Sequence, residues 1–148
     1  MKALSGSFGL DRRAVTERLQ AHGIKPTRQR VLLAQFLFQR PQHVTADGVF
    51  AAVNAERDLV SKATVYNTLH LFVQQGLVRE VLVDRERAFY DSNTSAHHHL
   101  FCEDDSQLTD VPGDVFEVRG SPQLPDGVEV IGTEVIVRVR RRPGGAAG

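Results

Sequence analysis

Three consecutive histidines, His97, His98 and His99, carry the clearest chemical signal in this chain and make up half of its six histidines. In an extended segment, side chains alternate, so His97 and His99 share one face and His98 takes the other. Two like-facing imidazoles with Cα atoms about 7 Å apart can converge on one ion. Asp91 lies just upstream, Asp110 lies downstream across an expected turn, and His43 falls in an expected turn between two helices. Imidazole and carboxylate donors together suit Zn(II), Fe(II), Mn(II) or Co(II). An exposed polar strand is the plainer reading of the same triplet. The single cysteine, Cys102, excludes an intramolecular disulfide framework and a thiolate-built zinc clasp, and reads as a small hydrophobe in a strand. Glu103, Asp104 and Asp105 read as a solvated turn. No nucleophile–base pair, glycine-rich phosphate loop or paired catalytic carboxylates stand out, so the chain reads as a binding protein and not an enzyme.

The elements that must position these residues follow from periodicity. The chain has 148 residues, 41% hydrophobic and 24% charged, the proportions of a soluble globular protein of one domain or two small ones. No apolar run approaches the length of a membrane span, and the first residues lack a signal-peptide core, so a cytoplasmic protein without membrane association is expected. Residues 1–10 and 143–148 are expected to be flexible tails. A short helix is expected from Asp11 to Ala21, burying Val15 and Leu19 and stopped by Gly23. A second opens at Pro26-Thr27 and runs to about Gln39, burying Leu32, Leu33, Phe36 and Leu37. Thr45 caps a third, with Ala46, Val49, Phe50 and Val53 on one face.

Ser61 caps the fourth helix, in which Val65, Leu69, Phe72, Val73 and Gly76 form an apolar stripe. The neighbouring stripe, Ala63, Tyr66, Asn67, His70 and Gln74, is hydrogen-bonding yet nearly uncharged. An ordinary solvated face would carry more Lys and Glu. Val78 to Asp91 then reads as a hairpin with a charged tip, Asp84 to Arg87. Helices followed by a hairpin is the order of a winged helix-turn-helix, whose last helix enters the major groove while the hairpin flanks the backbone. Arg85 and Arg87 would then sit where phosphates pass. Residues 1–91 carry 13 Lys and Arg against 9 acids, whereas 92–134 carry one Arg against nine acids. A basic front half suits a polyanion and an acidic back half suits cations or self-association. Beyond Asp91, strands are expected at His97 to Cys102, Gln107 to Val111 and Val128 to Val139, separated by Pro/Gly breaks. This half is too small to bury much core alone, so pairing with a second copy is expected.

Gly23 to Arg30 (GIKPTRQR), His43 to Ala46 (HVTA), Ala63 to Leu69 (ATVYNTL), Phe89-Tyr90-Asp91 and the histidine triplet together resemble the ferric uptake regulator (Fur) family, in consistent order from about residue 12 to 139. The resemblance implies a homodimeric, metal-sensing transcription factor of α+β class. An N-terminal winged helix-turn-helix, residues 11–91, would be followed by a small α/β metal-binding dimerisation domain, residues 92–142. It places a regulatory metal site on His43, Asp91, His97, His99 and Asp110, for Fe(II), Mn(II) or Zn(II). Double-stranded DNA would be met by Lys25, Arg28, Arg30, Ser61, Thr64, Tyr66 and Asn67, with Arg85 and Arg87 from the hairpin.

Two departures refine the resemblance. Family members commonly hold a structural zinc with two CxxC pairs, but here Cys102 stands at the first position, Asp105 occupies its partner's position and no later pair exists, so no four-cysteine zinc is expected. The long helix usual in the dimerisation domain is replaced by a Pro/Gly-broken stretch, Pro112 to Gly127. These losses, with the triplet, look most like the iron response regulator (Irr) branch. That branch is associated with haem, which makes His97, His98 and His99 candidate haem residues, although its N-terminal Cys-Pro haem motif is missing here. The implied function is a metal- or haem-responsive regulator of iron homeostasis genes. In that branch an iron- or haem-loaded state can release DNA instead of promoting binding. A peroxide-sensing or manganese- or zinc-sensing regulator of the same family is the alternative. A winged helix that binds only protein and a metal buffer without DNA affinity are rivals from other classes.

Overall fold

The computed structural model describes residues 11–144. The tails expected at 1–10 and 143–148 lie outside these residues, apart from a turn at Pro143-Gly144. Contacts divide the chain into two compact units, 1–94 and 95–148. The division falls slightly later than the boundary expected after Asp91, because β3 ends at Asp91 and the turn after it is tied back by the Asn93 N–H to Asp91 Oδ1, 2.9 Å.

The first unit holds four helices and a three-stranded sheet. Helix α1 (Arg12–Ala21) is capped by Asp11 and buries Val15 and Leu19. Helix α2 (Arg28–Leu37) is capped by Thr27 and buries Val31, Leu33, Ala34 and Leu37. Leu32 and Phe36, expected inside, are only partly buried against this core, because the inward stripe of α2 is centred on Val31, Ala34 and Leu37, with Leu32 and Phe36 at its margin. Strand β1 (His43–Val44) precedes helix α3 (Ala46–Val53), whose cap is Thr45. Helix α4 (Lys62–Gln74) is capped by Ser61 and buries Val65, Thr68, Leu69 and Phe72.

The turn between α3 and α4 is set by one side chain. Asn54 Oδ1 accepts the N–H groups of Leu59 (2.7 Å) and Val60 (3.0 Å), and its Nδ2 donates to the carbonyls of Phe50 and Val60, both 2.9 Å. All four bonds involve backbone that a loop would otherwise leave to water, so the angle between the helices is fixed by satisfied polar groups. Gly76, just past the α4 C-cap, has φ +72°, the left-handed conformation that ends a helix at low cost only for glycine.

The sheet of this unit has the order β1-β3-β2, with β2 (Arg79–Leu82) and β3 (Ala88–Asp91) forming the expected hairpin. His43 is therefore not in a turn. It lies on β1, which pairs antiparallel with β3. A two-residue strand is too short to show alternation in sequence, and it forms because β3 offers a second edge.

The second unit is a sheet of order β5-β4-β6. Strands β4 (His97–Cys102) and β5 (Gln107–Pro112) are antiparallel, while β6 (Ile136–Val139) runs parallel to β4. The long strand expected from Val128 is thus confined to its last four residues. Val128, Val130 and Ile131 are exposed, with Ile131 97% accessible, and their stretch has no neighbouring strand among the described residues. The acidic turn after β4 is not merely solvated. Glu103 pairs with Arg138 at 3.0 Å, Asp105 with Arg141 at 3.4 Å, and Asp104 accepts the Arg141 N–H at 2.6 Å.

Candidate metal centre and nucleic-acid interface

In the first unit the cross-strand register places His43 directly opposite Asp91. His43 Nε2 lies 3.2 Å from Asp91 Oδ2, and Asp91 is 1% exposed. A carboxylate buried to this degree demands partners. The imidazole and the Asn93 N–H, 2.9 Å from Oδ1, are among them. Gln42, the residue before His43, ties the start of β1 to the end of α2, its Nε2 donating to the carbonyls of Phe36 (2.8 Å) and Leu37 (3.2 Å).

In the second unit, alternation along β4 holds as expected. His97 and His99 are buried and His98 is half-buried on the opposite face. Asp110 stands directly across from His99 on β5. Its Oδ1 lies 3.1 Å from His97 Nε2 and 3.5 Å from His99 Nε2, and the two imidazole centroids are 4.6 Å apart. His97 Nδ1 is 2.6 Å from the Ser95 carbonyl oxygen. A carbonyl only accepts, so Nδ1 carries the proton and a neutral ring presents Nε2 as a lone pair. That lone pair faces a carboxylate oxygen. Two acceptors so close need a cation between them, either a proton or a metal ion.

Orientation of a ligating imidazole by a carbonyl on its other nitrogen is the usual support of metal sites. One donor atom from each of His97, His99 and Asp110 lies within 4.8 Å of the others. Donors bound about 2.0–2.2 Å from a single ion lie at most about 4.4 Å apart, which the 3.1 and 3.5 Å separations from Asp110 Oδ1 satisfy. The residues of this unit therefore fit a divalent cation with nitrogen and oxygen ligands.

Haem is not supported at the triplet. His97 and His99 are enclosed against Asp110, which leaves no open face for a macrocycle. His98 is committed elsewhere: its Nδ1 accepts the Val135 N–H at 3.0 Å and its ring meets Phe116 edge-on at 5.6 Å. Cys102 is half-buried, and Asp105 has its carboxyl held below the usual range, first by the Gln107 N–H and then by the Cys102 thiol.

The other candidate surface belongs to α4. Tyr66, Asn67, His70 and Gln74 are exposed, as is Ala63, while the Val65, Leu69 and Phe72 face is sealed. Ser61 and Thr64 are engaged with each other: Ser61 Oγ accepts the Thr64 N–H at 3.1 Å and donates to Thr64 Oγ1 at 2.9 Å. An open groove of about 340 Å³ runs between α4 and the start of α2, lined by Thr27, Gln29, Arg30, Thr64 and Asn67 among others. Lys25 and Arg28 are exposed, and Arg30 is held by donation to the Lys25 carbonyl, 3.0 Å. At the hairpin tip Arg85 is exposed, whereas Arg87 is ion-paired with Asp84.

Sequence reasoning missed Asp47 and Lys62. Asp47 Oδ1 accepts the Tyr66 hydroxyl at 2.9 Å and lies 3.2 Å from Lys62 Nζ. Position in the first turn of α3 gave only a helix-terminus signal, and nothing local ties that turn to Tyr66.

The profile of the ferric uptake regulator family matches residues 21–137. The peroxide operon regulator of Bacillus subtilis (strain 168) is 34% identical over 94 residues, which span 64% of this chain and 65% of that protein. The chain thus matches slightly less than two thirds of that relative's length. Among solved structures, the ferric uptake regulator from Pseudomonas aeruginosa with manganese aligns at TM-score 0.66 and 24% identity, over 86% of this chain and 98% of that one. The ferric uptake regulator from Francisella tularensis with iron aligns at TM-score 0.64 and 21% identity, over 81% and 93%. These two share the fold. No helix among the described residues is long and apolar enough to cross a membrane. The winged-helix order, the histidine strand facing Asp110 and a family profile that covers most of the length agree: the chain belongs to the ferric uptake regulator family.

Proposed function

We propose that this protein is a metal-responsive transcriptional regulator that binds double-stranded DNA as a homodimer through α4 and the hairpin. The observation that carries the metal half is the His97 and His99 pair facing Asp110, with His97 fixed by Ser95 so that Nε2 needs a cation. His43 and Asp91 complete the proposed ligand set, because their own pairing is likewise imidazole to buried carboxylate. All five would hold one divalent cation, Fe(II), Mn(II) or Zn(II), through nitrogen and oxygen donors alone. Behind the ligands, Ser95 orients His97, Asn93 steadies Asp91, and Gln42 ties the start of β1 to the end of α2.

The DNA half is supported by an exposed, nearly uncharged polar face on a capped helix, flanked by Lys25, Arg28, Arg30 and Arg85. Ser61, Thr64, Tyr66 and Asn67 are the proposed groove residues, and Arg87 is a weaker phosphate candidate because Asp84 neutralises it. Homodimerisation is supported by the small size of the second unit, which buries little core of its own and leaves Val115, Val118, Val128, Val130 and Ile131 exposed. Control of iron homeostasis genes, as in the iron response regulator branch, rests on the histidine triplet and the missing CxxC pairs.

The decisive experiment selects duplexes from a randomised pool with the Mn(II)-loaded protein and then titrates the selected duplex with and without Mn(II). A change in DNA affinity of about 5–150-fold is expected, the usual range of a coupling between two sites. The same titration of His97→Ala/His99→Ala should show no response to metal. An undiminished response in that variant overturns the site. A second reading, a peroxide sensor, is favoured by the 34% identity to the peroxide operon regulator. It requires Fe(II)-loaded protein exposed to hydrogen peroxide to gain oxygen on a ligand histidine, seen by mass spectrometry, and an unmodified protein counts against it.

A further inference from the structure

Tyr66 is 42% exposed on the outer face of α4, yet its hydroxyl hydrogen is already spent on Asp47 Oδ1 at 2.9 Å. The same carboxylate oxygen lies 3.2 Å from Lys62 Nζ, and that ammonium sits 6.0 Å above the Tyr66 ring. Asp47 is itself placed by the first turn of α3, where the helix dipole favours a negative charge. Three side chains from two helices therefore form one exposed cluster on the face proposed to meet DNA.

We infer that Asp47 is a positioning residue for base reading: its carboxylate commits the Tyr66 hydroxyl as a donor within the protein and leaves the phenol oxygen's lone pairs, and the ring, to face the groove. This rests on the DNA-binding reading above. A phenol has one hydrogen to donate and lone pairs to accept with. With the hydrogen spent, the outward-facing oxygen only accepts. In the major groove it then matches the amino groups of adenine and cytosine and clashes with the acceptor edges of guanine and the O4 of thymine. The ring suits a thymine methyl. Lys62 partly neutralises Asp47, which lessens the repulsion that a bare carboxylate would exert on phosphates.

The inference predicts opposite effects on two kinds of DNA. Asp47 sharpens recognition at Tyr66 but adds a negative charge near the backbone, where binding is governed by phosphate neutralisation. The Mn(II)-loaded wild type, Asp47→Ala, Asp47→Asn and Tyr66→Phe are compared on the duplex the wild type selects from a randomised pool and on poly(dI-dC). Asp47→Ala should lose about tenfold on the selected duplex, the scale of one base contact, and bind poly(dI-dC) as well or more tightly. Asp47→Asn can donate to the phenol oxygen and release the hydroxyl outward, so it should select a different consensus. Asp47→Ala/Tyr66→Phe should be no weaker on the selected duplex than the worse single variant. In the free protein, the Tyr66 phenol should titrate at lower pH in Asp47→Ala than in wild type. Equal losses on both DNAs, additive losses in the double variant, or an unmoved phenol overturn the inference. A wild type that selects no duplex overturns the DNA-binding reading and this role with it, whatever the phenol does.

Discussion

Asp84 at the hairpin tip gathers four donors onto one carboxylate, Arg87 Nη2 among them. Its Oδ1 accepts the N–H groups of Glu86 and Arg87, both 2.9 Å, and its Oδ2 accepts Arg87 Nε at 2.7 Å. The Arg87 guanidinium, foremost, and then the Glu86 N–H hold its carboxyl down to about 2 from the usual 3.8. A depressed carboxylate favours the folded hairpin above its unfolded value, and the benefit is lost as pH falls from about 4 through about 2. The hairpin tip should therefore stay ordered at mildly acidic pH and loosen only near pH 2. Carboxyl-detected NMR should find the Asp84 midpoint near 2, rising toward 3.8 in Arg87→Gln. A midpoint indifferent to Arg87 would show that the pair is not formed in solution. The same contact bears on DNA, since it leaves Arg85 as the tip's more available cation for phosphate.

Helix α4 divides its labour between two faces, and substitutions should separate them. Phe72 is fully buried in the core with Leu69 and Val65, so Phe72→Ala removes packing that nothing refills. A loss of about 3–5 kcal/mol is expected in urea unfolding, as for large-to-small core changes generally. Tyr66→Ala on the outer face should cost far less stability and weaken specific more than non-specific DNA binding. Comparable stability losses in the two variants would mean that Tyr66 is a packing residue. This division was legible in sequence, because the apolar and polar stripes recur at the helical period and Ser61 marks the start. The pairing of His97 with His99 was legible for the same reason at period two. The short strand at His43, the collapse of the strand expected from Val128 and the Asp47–Tyr66 bond were not. Each depends on residues distant in sequence: β3 as a partner for His43, a neighbouring strand that Val128 lacks among the described residues, and α3 lying against α4. The ion pairs of Glu103 and Asp105 with Arg138 and Arg141 escaped notice likewise, since a charge run looks the same whether solvated or matched across 35 residues.

The chain comprises two compact units, and the metal response proposed above requires that an event in one be felt in the other. By the ligand set proposed above, His97, His99 and Asp110 belong to the second unit, while His43 and Asp91 belong to the first. Loss of a ligand from the second unit should therefore remove binding and response together, as argued for the histidine pair. Loss of His43 should separate them. Three donors remain mutually within reach in the second unit, so His43→Ala should still bind Mn(II), about 10–100-fold more weakly if this ligand weighs as much as a supporting residue of a metal site. Its DNA affinity, however, should depend distinctly less on the metal, because part of the coupling free energy of about 1–3 kcal/mol is carried by the His43 contact while Asp91 keeps the rest. Calorimetric Mn(II) titration and duplex binding on one preparation give both numbers. If His43→Ala at saturating Mn(II) still shows the full wild-type change in DNA affinity, His43 carries none of the coupling and does not belong to the responding ligand set.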